Sequence, residues 1–207
     1  IFGEYGEYGI EESKYPIKNV FIEQIKKICK IENSRSIDNF NEPMIIMTFL
    51  PQNNIYEISM CTKKLLEKKH KLFHPKNGDF IIVNINSKED SKSKERIENA
   101  RNIAINSNKK GVLVLSGRQC HLGVSIKNCD IVLLLNNNLS FDMIYQMMFR
   151  CMTEEDGKKL GFVVDLNIHR TVKILMDYIN TIRPNDKPKE SIKKLLQSRQ
   201  LRLNSNH

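Results

Sequence analysis

Gln146 and Arg150 stand one helical turn apart in the stretch SFDMIYQMMFRCM, and their types suit phosphate recognition. A guanidinium offers planar, permanently charged donors to phosphate oxygens, and a neighbouring amide can orient it or hold a water. Read at 3.6-residue periodicity with Ser140 as N-cap, Phe141, Ile144, Met147, Met148, Cys151 and Met152 turn inward, while Asp142, Gln146 and Arg150 form one polar stripe. The plainer reading of that stripe is an Asp142/Arg150 surface pair with a solvated Gln146, and spacing alone does not separate the two. Upstream lies GVLVLSGRQCHLGVSIKNCDIVLLLN, residues 111–136, in which two short apolar runs enclose a polar loop with glycines. Two buried strands joined in this way, followed by a helix, are what a nucleotide-binding α/β protein places at the carboxyl edge of its sheet.

Other chemistries lack their residues. No G-x-x-x-x-G-K-[ST] occurs, since GRQCHLG has neither the lysine nor the hydroxyl that hold phosphate and Mg²⁺, and no acidic pair follows an apolar strand. There is no G-x-S-x-G elbow and no H-E-x-x-H. His70 and His74 stand at i, i+4 downstream of Cys61, but no further ligand follows at a suitable spacing, so no metal site is assigned. Five cysteines with no C-x-x-C pair read as reduced thiols of an intracellular protein.

The elements that must position these residues alternate along the chain. MIIMTFLP (44–51), DFIIVNINS (79–87), GVLVLS (111–116), CDIVLLLN (129–136) and LGFVVDLN (160–167) read as strands. Between them QNNIYEISMCTKKLLEKK gives a helix with Ile55, Ile58, Leu65 and Leu66 inward, and the charged segment from Ser87 gives one with Ile97, Ala100, Ile103 and Ala104 inward. His169 to Ile182 forms another, with Val172, Leu175, Met176, Tyr178 and Ile179 inward. This alternation predicts an α/β fold, a mostly parallel sheet with helices on both faces, with flanking helical segments. Residues 1–43 are read as a linker and helical lead-in containing a helix from Tyr15 to Ile31, 44–182 as the main domain, and 183–207 as a basic C-terminal helix.

The order of the pieces resembles the C-terminal RecA-like lobe of superfamily 2 helicases and translocases, of the kind found in large DNA viruses. GVLVLSGRQCHLGVSIKNCDIVLLLN resembles motif V, with Gly123, Ser125 and Ile126 on its G-x-[DNS]-[IL] core; QMMFRCMT resembles motif VI, Q-x-x-G-R-x-x-R. Gln146 matches the glutamine and Arg150 the first arginine, whereas Phe149 replaces the glycine and Thr153 the second arginine. The resemblance implies that Arg150 is an arginine finger and Gln146 its positioning partner. It also implies that Gly123 and Ser125 take part in binding the nucleotide cofactor and passing on its state, and that Arg118, Gln119 and His121 meet a nucleic-acid backbone. MIIMTFLPQNN resembles motif IV, which adds Gln52, Asn53 and Asn54 as backbone contacts, against the plainer reading of an N-cap cluster. ATP and Mg²⁺ would be held mainly by an N-terminal RecA-like lobe of the same protein, and this segment alone should not hydrolyse ATP.

Composition is consistent with a polyanionic partner. The 207 residues carry 33 Lys and Arg against 24 Asp and Glu, a net charge of +9, which favours nucleic acid, with DNA ahead of RNA. No run reaches the ~18–20 apolar residues of a membrane span. The expected setting is intracellular, cytoplasmic or nuclear, with a virion or viral factory if the source is viral. Two rivals stand beside the motor reading: a catalytically decayed lobe serving as a nucleic-acid-binding or scaffold module, which Thr153 favours, and an unrelated doubly wound nucleotide-binding enzyme.

Overall fold

The computed structural model describes residues 43–85, 92–117, 129–153 and 161–182, with Ile126 and positions 187, 189, 190 and 193. The expected lead-in helix before residue 43 and most of the C-terminal helix lie outside the described residues. The chain divides into two units, one ending at Leu166 and the other starting at Asn167.

In the first unit, strands β1 (Met44–Phe49), β2 (Phe80–Ile85), β3 (Gly111–Ser116), β4 (Cys129–Leu134) and β5 (Phe162–Asp165) form one sheet in the order β2-β3-β1-β4-β5. Every pairing is parallel. β3 and β4 are buried at every position, as expected of central strands covered on both faces. Period-two alternation then sorts the side chains. Ile46, Leu50, Ile82, Leu113, Leu115, Ile131 and Leu133 share one face with Ile58 and Leu66 of helix α1 (Ile55–Lys69). Helix α2 (Ser93–Asn106) contacts the same two strands, β2 and β3, but its buried Ile97, Ala100 and Ala104 lie outside that cluster, so it covers the opposite face. The α/β class with helices on both faces is therefore what the chain adopts.

Connections are closed by local polar chemistry. α2 ends in a Schellman motif: Asn108 takes the left-handed conformation (φ 49), with Lys109 N donating to Ala104 O at 2.8 Å and Asn108 N to Ile105 O at 3.1 Å. Gly111 opens β3 where a Cβ would come within 2.6 Å of both Met44 O and the Phe80 ring, so only glycine fits between β1 and β2 there. At the amino end of β4 the register with β1 slips by one residue, leaving Asp130 as the extra residue. Its buried Oδ2 accepts the Ile45 N–H at 2.9 Å, replacing the carbonyl that an unbroken ladder would have offered.

Helix α3 (Phe141–Met148) follows β4 and tightens into a 3₁₀ turn over Phe149–Met152 that packs on β4. In the second unit α4 (Ile168–Ile182) is capped by Asn167, whose Oδ1 accepts from Arg170 N at 3.0 Å. Three apolar expectations are corrected. Ile103 is 55% exposed and Val172 51% exposed, with Ile174 the buried position on α4, and Met152 is 40% exposed. For Met152 the reason is the 3₁₀ turn, which advances each residue by about 120° rather than 100° and rotates the last turn off the predicted stripe.

Candidate functional site

The sheet order creates a switch point. The chain leaves β1 through α1 toward β2 on one side, whereas it leaves β4 through α3 toward β5 on the other, so the carboxyl ends of β1 and β4 diverge while remaining adjacent. In open α/β sheets, a crevice of this kind is where ligands bind. Leu135 N donates to Phe49 O at 2.9 Å and Leu50 N to Ser116 O at 2.9 Å, which holds the ends of β1, β3 and β4 level.

Around that edge lie Gln52 and Asn53, both exposed on the short turn before α1. Asn54 occupies the N-cap position expected of this cluster, in the left-handed region (φ 53, ψ 38), with its backbone carbonyl accepting from Ile58 N at 2.9 Å and no capping bond from its side chain. Gly117 is buried directly beneath, where a Cβ would meet Ile55 Cγ1 at 2.9 Å. The absence of a side chain there lets the backbone at Gly117 pack against Ile55 in the first turn of α1. Arg118, Gln119, His121, Gly123 and Ser125 lie outside the described residues.

After β4, asparagines shape the approach to α3. Asn136 is buried, and its Oδ1 accepts from Asn138 N at 3.4 Å; Asn138 Oδ1 in turn accepts from Ser140 N at 2.9 Å. These are side-chain mimics of turns, the usual reason for asparagine in such a run. Ser140 holds the predicted N-cap position, but its hydroxyl makes no cap bond and the asparagine ladder sets the helix entry instead.

Gln146 and Arg150 are separated by the change of helix type. Gln146 is exposed on α3, whereas Arg150 sits in the 3₁₀ turn, half-buried, with its Nε shut off from solvent. The predicted continuous stripe of Asp142, Gln146 and Arg150 is thus broken at its last member. α3 also runs back along the sheet, which carries Arg150 about 13 Å from the helix start. Gly161, just before β5, lies against the carbonyl of Cys151 so closely that a Cβ would collide with it. Arg150 is consequently held at the amino end of β5, away from the carboxyl edge that carries Gln52 and Asn53. Thr153, which stands where a second arginine was expected, is exposed.

Three aromatic rings run along α3 into the turn that follows it. Phe141, Tyr145 and Phe149 recur at i, i+4 and i+8; Phe141 and Tyr145 stack with centroids 5.4 Å apart, and Tyr145 meets Phe149 edge-to-face at 4.5 Å. The i, i+4, i+8 spacing of the three rings is present in the sequence, where Phe141 reads as an inward residue and Phe149 as the replacement of a glycine.

Among the described residues no group of three or more His, Cys, Asp or Glu side chains is placed to hold a metal ion. His74 serves a turn, its Nδ1 accepting from Asn77 N at 3.4 Å. Among the described residues no helix is long and apolar enough to cross a membrane. Burial raises the Cys61 thiol above its ordinary pKa; Lys64 opposes the shift and Glu57 adds to it.

No family model matches the sequence, and no curated protein matches it. Two solved structures are similar in the course of the chain. One is Mss116p DEAD-box helicase domain 2 bound to an RNA duplex, at 16% identity and a TM-score of 0.48, covering 86% of this chain and 62% of that one. The other is the C-terminal part of the Fun30 ATPase domain, at 11% identity and a TM-score of 0.44, covering 84% of this chain and 52% of that one. The chain thus spans less than two thirds of either structure's length. No function is carried over from likeness at this level.

Proposed function

We propose that this chain contains the second, RecA-like motor lobe of an ATP-dependent helicase or translocase of superfamily 2. The observation that supports this most is the placement of Arg150: the helix that leaves the switch-point strand β4 ends in a turn pinned between β4 and Gly161, and that turn carries the arginine. A half-buried guanidinium on a fixed turn is pre-organised to meet anionic oxygens, because its geometry is settled before the ligand arrives. The donors fit the phosphate part of a nucleotide. ATP and Mg²⁺ would be held by an N-terminal lobe, and when bound the metal neutralises charge on the phosphates.

Arg150 then offsets the negative charge that develops on the γ-phosphoryl oxygens during transfer, and arginine fingers of this kind contribute about 10³–10⁵ in rate. Gln146, one turn earlier and exposed, orients the water or the phosphate edge beside it. Gln52 and Asn53, with the loop from Gly117 through Arg118, Gln119 and His121, meet backbone phosphates at the carboxyl edge. Gly123 and Ser125 link that loop to the nucleotide state. Two lobes that close on ATP and open after hydrolysis, each holding the strand, would convert turnover into stepping. The polymer in this reading is DNA, consistent with the chain's net charge of +9.

The exposed Thr153 favours a second reading, a decayed lobe that only binds nucleic acid. The two are separated by the ATPase rate of the longest native chain containing residues 44–182, with and without single-stranded DNA or RNA. Turnover stimulated by nucleic acid supports the motor. Salt-sensitive binding without turnover supports the binding module.

A further inference from the structure

Two segments meet at the amino edge of β2 and β3, the end of the sheet opposite the rim of Gln52 and Asn53. One is the loop from α1 to β2, which opens on the basic run KKHK, residues 68–71, and carries Lys76 further on. The other is the turn after α2, with Lys109 and Lys110. Lys110 N and Gly111 N both donate to Asp79 O, at 2.8 and 3.2 Å, and Lys109 Nζ donates to Gly78 O, so the fold joins lysines that are far apart in sequence. The loop itself is closely built. Phe73 and Phe80 are buried with ring centroids 5.8 Å apart, Gly78 N donates to His74 O at 2.7 Å, and a Cβ on Gly78 would come within 2.5 Å of His74 N. His74 Nδ1 accepts from Asn77 N, which places the proton of the neutral ring on Nε2.

This frame displays hydrogen-bond donors. Lys68, Lys71, His74, Lys76, Asn77 and Lys110 are all exposed. The nearby acids are Asp79, which pairs with Lys110 at 3.5 Å, and Glu67, which pairs with Lys63 at 3.7 Å, so lysine outnumbers acid across the patch. A cation at a helix C-terminus accounts for Lys68, but Lys76 and Lys110 belong to no helix. We infer that this patch is a second nucleic-acid contact and that it takes the phosphate backbone of duplex DNA. Unpaired bases require a stacking platform, and the two rings here, Phe73 and Phe80, are buried. A protein partner requires an apolar anchor, and no large apolar side chain of residues 70–79 or 107–110 is exposed. A duplex presents phosphates on its outside, which donors alone can meet. The six residues of β2 set the patch about 20 Å from the carboxyl rim, so the two surfaces meet different stretches of polymer. β2 and β5 are the two edge strands, which separates the patch from the Arg150 turn as well. The inference rests on the proposed function for its choice of polymer and uses none of the ATP chemistry.

The test measures binding of the 207-residue chain to a short blunt DNA duplex, to one of its strands alone, and to polyglutamate, over a series of salt concentrations. Lys71→Glu with Lys76→Glu should weaken duplex binding about tenfold or more and lower the slope of log affinity against log salt by about 2, while single-strand binding changes little. Lys71→Arg with Lys76→Arg should keep parental binding. Lys94→Glu with Arg96→Glu, an exposed pair on the first turn of α2 at the other end of the sheet, lowers the net charge equally and should leave duplex binding near the parent's. A fall as large in that second pair shows that net charge alone acts and overturns the inference. Unchanged duplex affinity and slope in Lys71→Glu with Lys76→Glu overturns it too, and leaves the motor reading standing. An equal loss for the single strand overturns the duplex assignment, and a loss confined to polyglutamate overturns it in favour of an acidic protein. A parent that binds neither DNA overturns both this inference and the nucleic-acid reading on which it rests.

Discussion

At the scale of single residues, buried polar groups set the framework on which the candidate site is built. The Asp130 carboxylate replaces a missing ladder acceptor for the Ile45 N–H at 2.9 Å, so removing it strands a buried donor. Asp130→Ala should lower stability by about 1–3 kcal/mol in urea unfolding, and Asp130→Asn, which keeps an acceptor oxygen, should cost less; equal losses would mean the bond contributes little. Cys61 gives a pH-dependent counterpart. Its folded pKa is raised by burial, so the folded state holds the thiol proton more tightly than the unfolded chain does. That contribution is complete below the unfolded thiol's pKa of about 8.5 and is lost as pH rises through the folded value. Stability should therefore fall as pH rises from the unfolded thiol's pKa toward the raised folded one, and Cys61→Ala should flatten the fall. An identical alkaline profile in the variant would show that other groups dominate.

At the scale of elements, the join between α3 and its 3₁₀ turn decides where Arg150 points. Gly161→Ala would force a methyl into the Cys151 carbonyl, and the turn bearing Arg150 must shift to relieve it. The expected result is a loss of about 1–3 kcal/mol in denaturant unfolding, together with weakened nucleotide-dependent activity in the longest native chain. A variant as stable and as active as the parent would show that the turn is not held by this contact. The limits of sequence reading lie at the same join. Apolar runs mark the strands because β3 and β4 are buried on both faces, and α1 and α2 follow from the helical spacing of residues such as Ile58 and Leu66 or Ile97 and Ala100. Gln146 and Arg150 were legible as residue types at helical spacing. What was not legible was the tightening over Phe149–Met152, a tertiary effect of docking on β4 and Gly161, and with it the burial of Arg150 and the exposure of Met152. Asp130 was hidden because a carboxylate in an apolar run carries no local sign that a register slip will need it.

At the scale of the whole molecule, the parallel order β2-β3-β1-β4-β5 separates two sets of candidate contacts, the carboxyl rim of Gln52, Asn53 and Gly117 and the distant turn of Arg150. Such separation is what a lobe requires if it holds a strand at one place and answers to a nucleotide at another. If the rim meets phosphates, Gln52→Ala with Asn53→Ala should weaken single-strand binding about equally across sequences, and parent binding should fall steeply between 50 and 200 mM salt, by about 10³-fold if some six phosphates are neutralised. Affinity independent of salt would argue against a backbone-tracking surface. The central claim concerns Arg150 and is tested most directly by single-turnover ATP hydrolysis in the longest native chain containing residues 44–182, comparing the parent with Arg150→Ala and Arg150→Lys. The account predicts a fall in kcat of about 10³ in Arg150→Ala, little rescue by lysine, and ATP affinity within a few-fold of the parent. An unchanged hydrolysis rate in Arg150→Ala would contradict it.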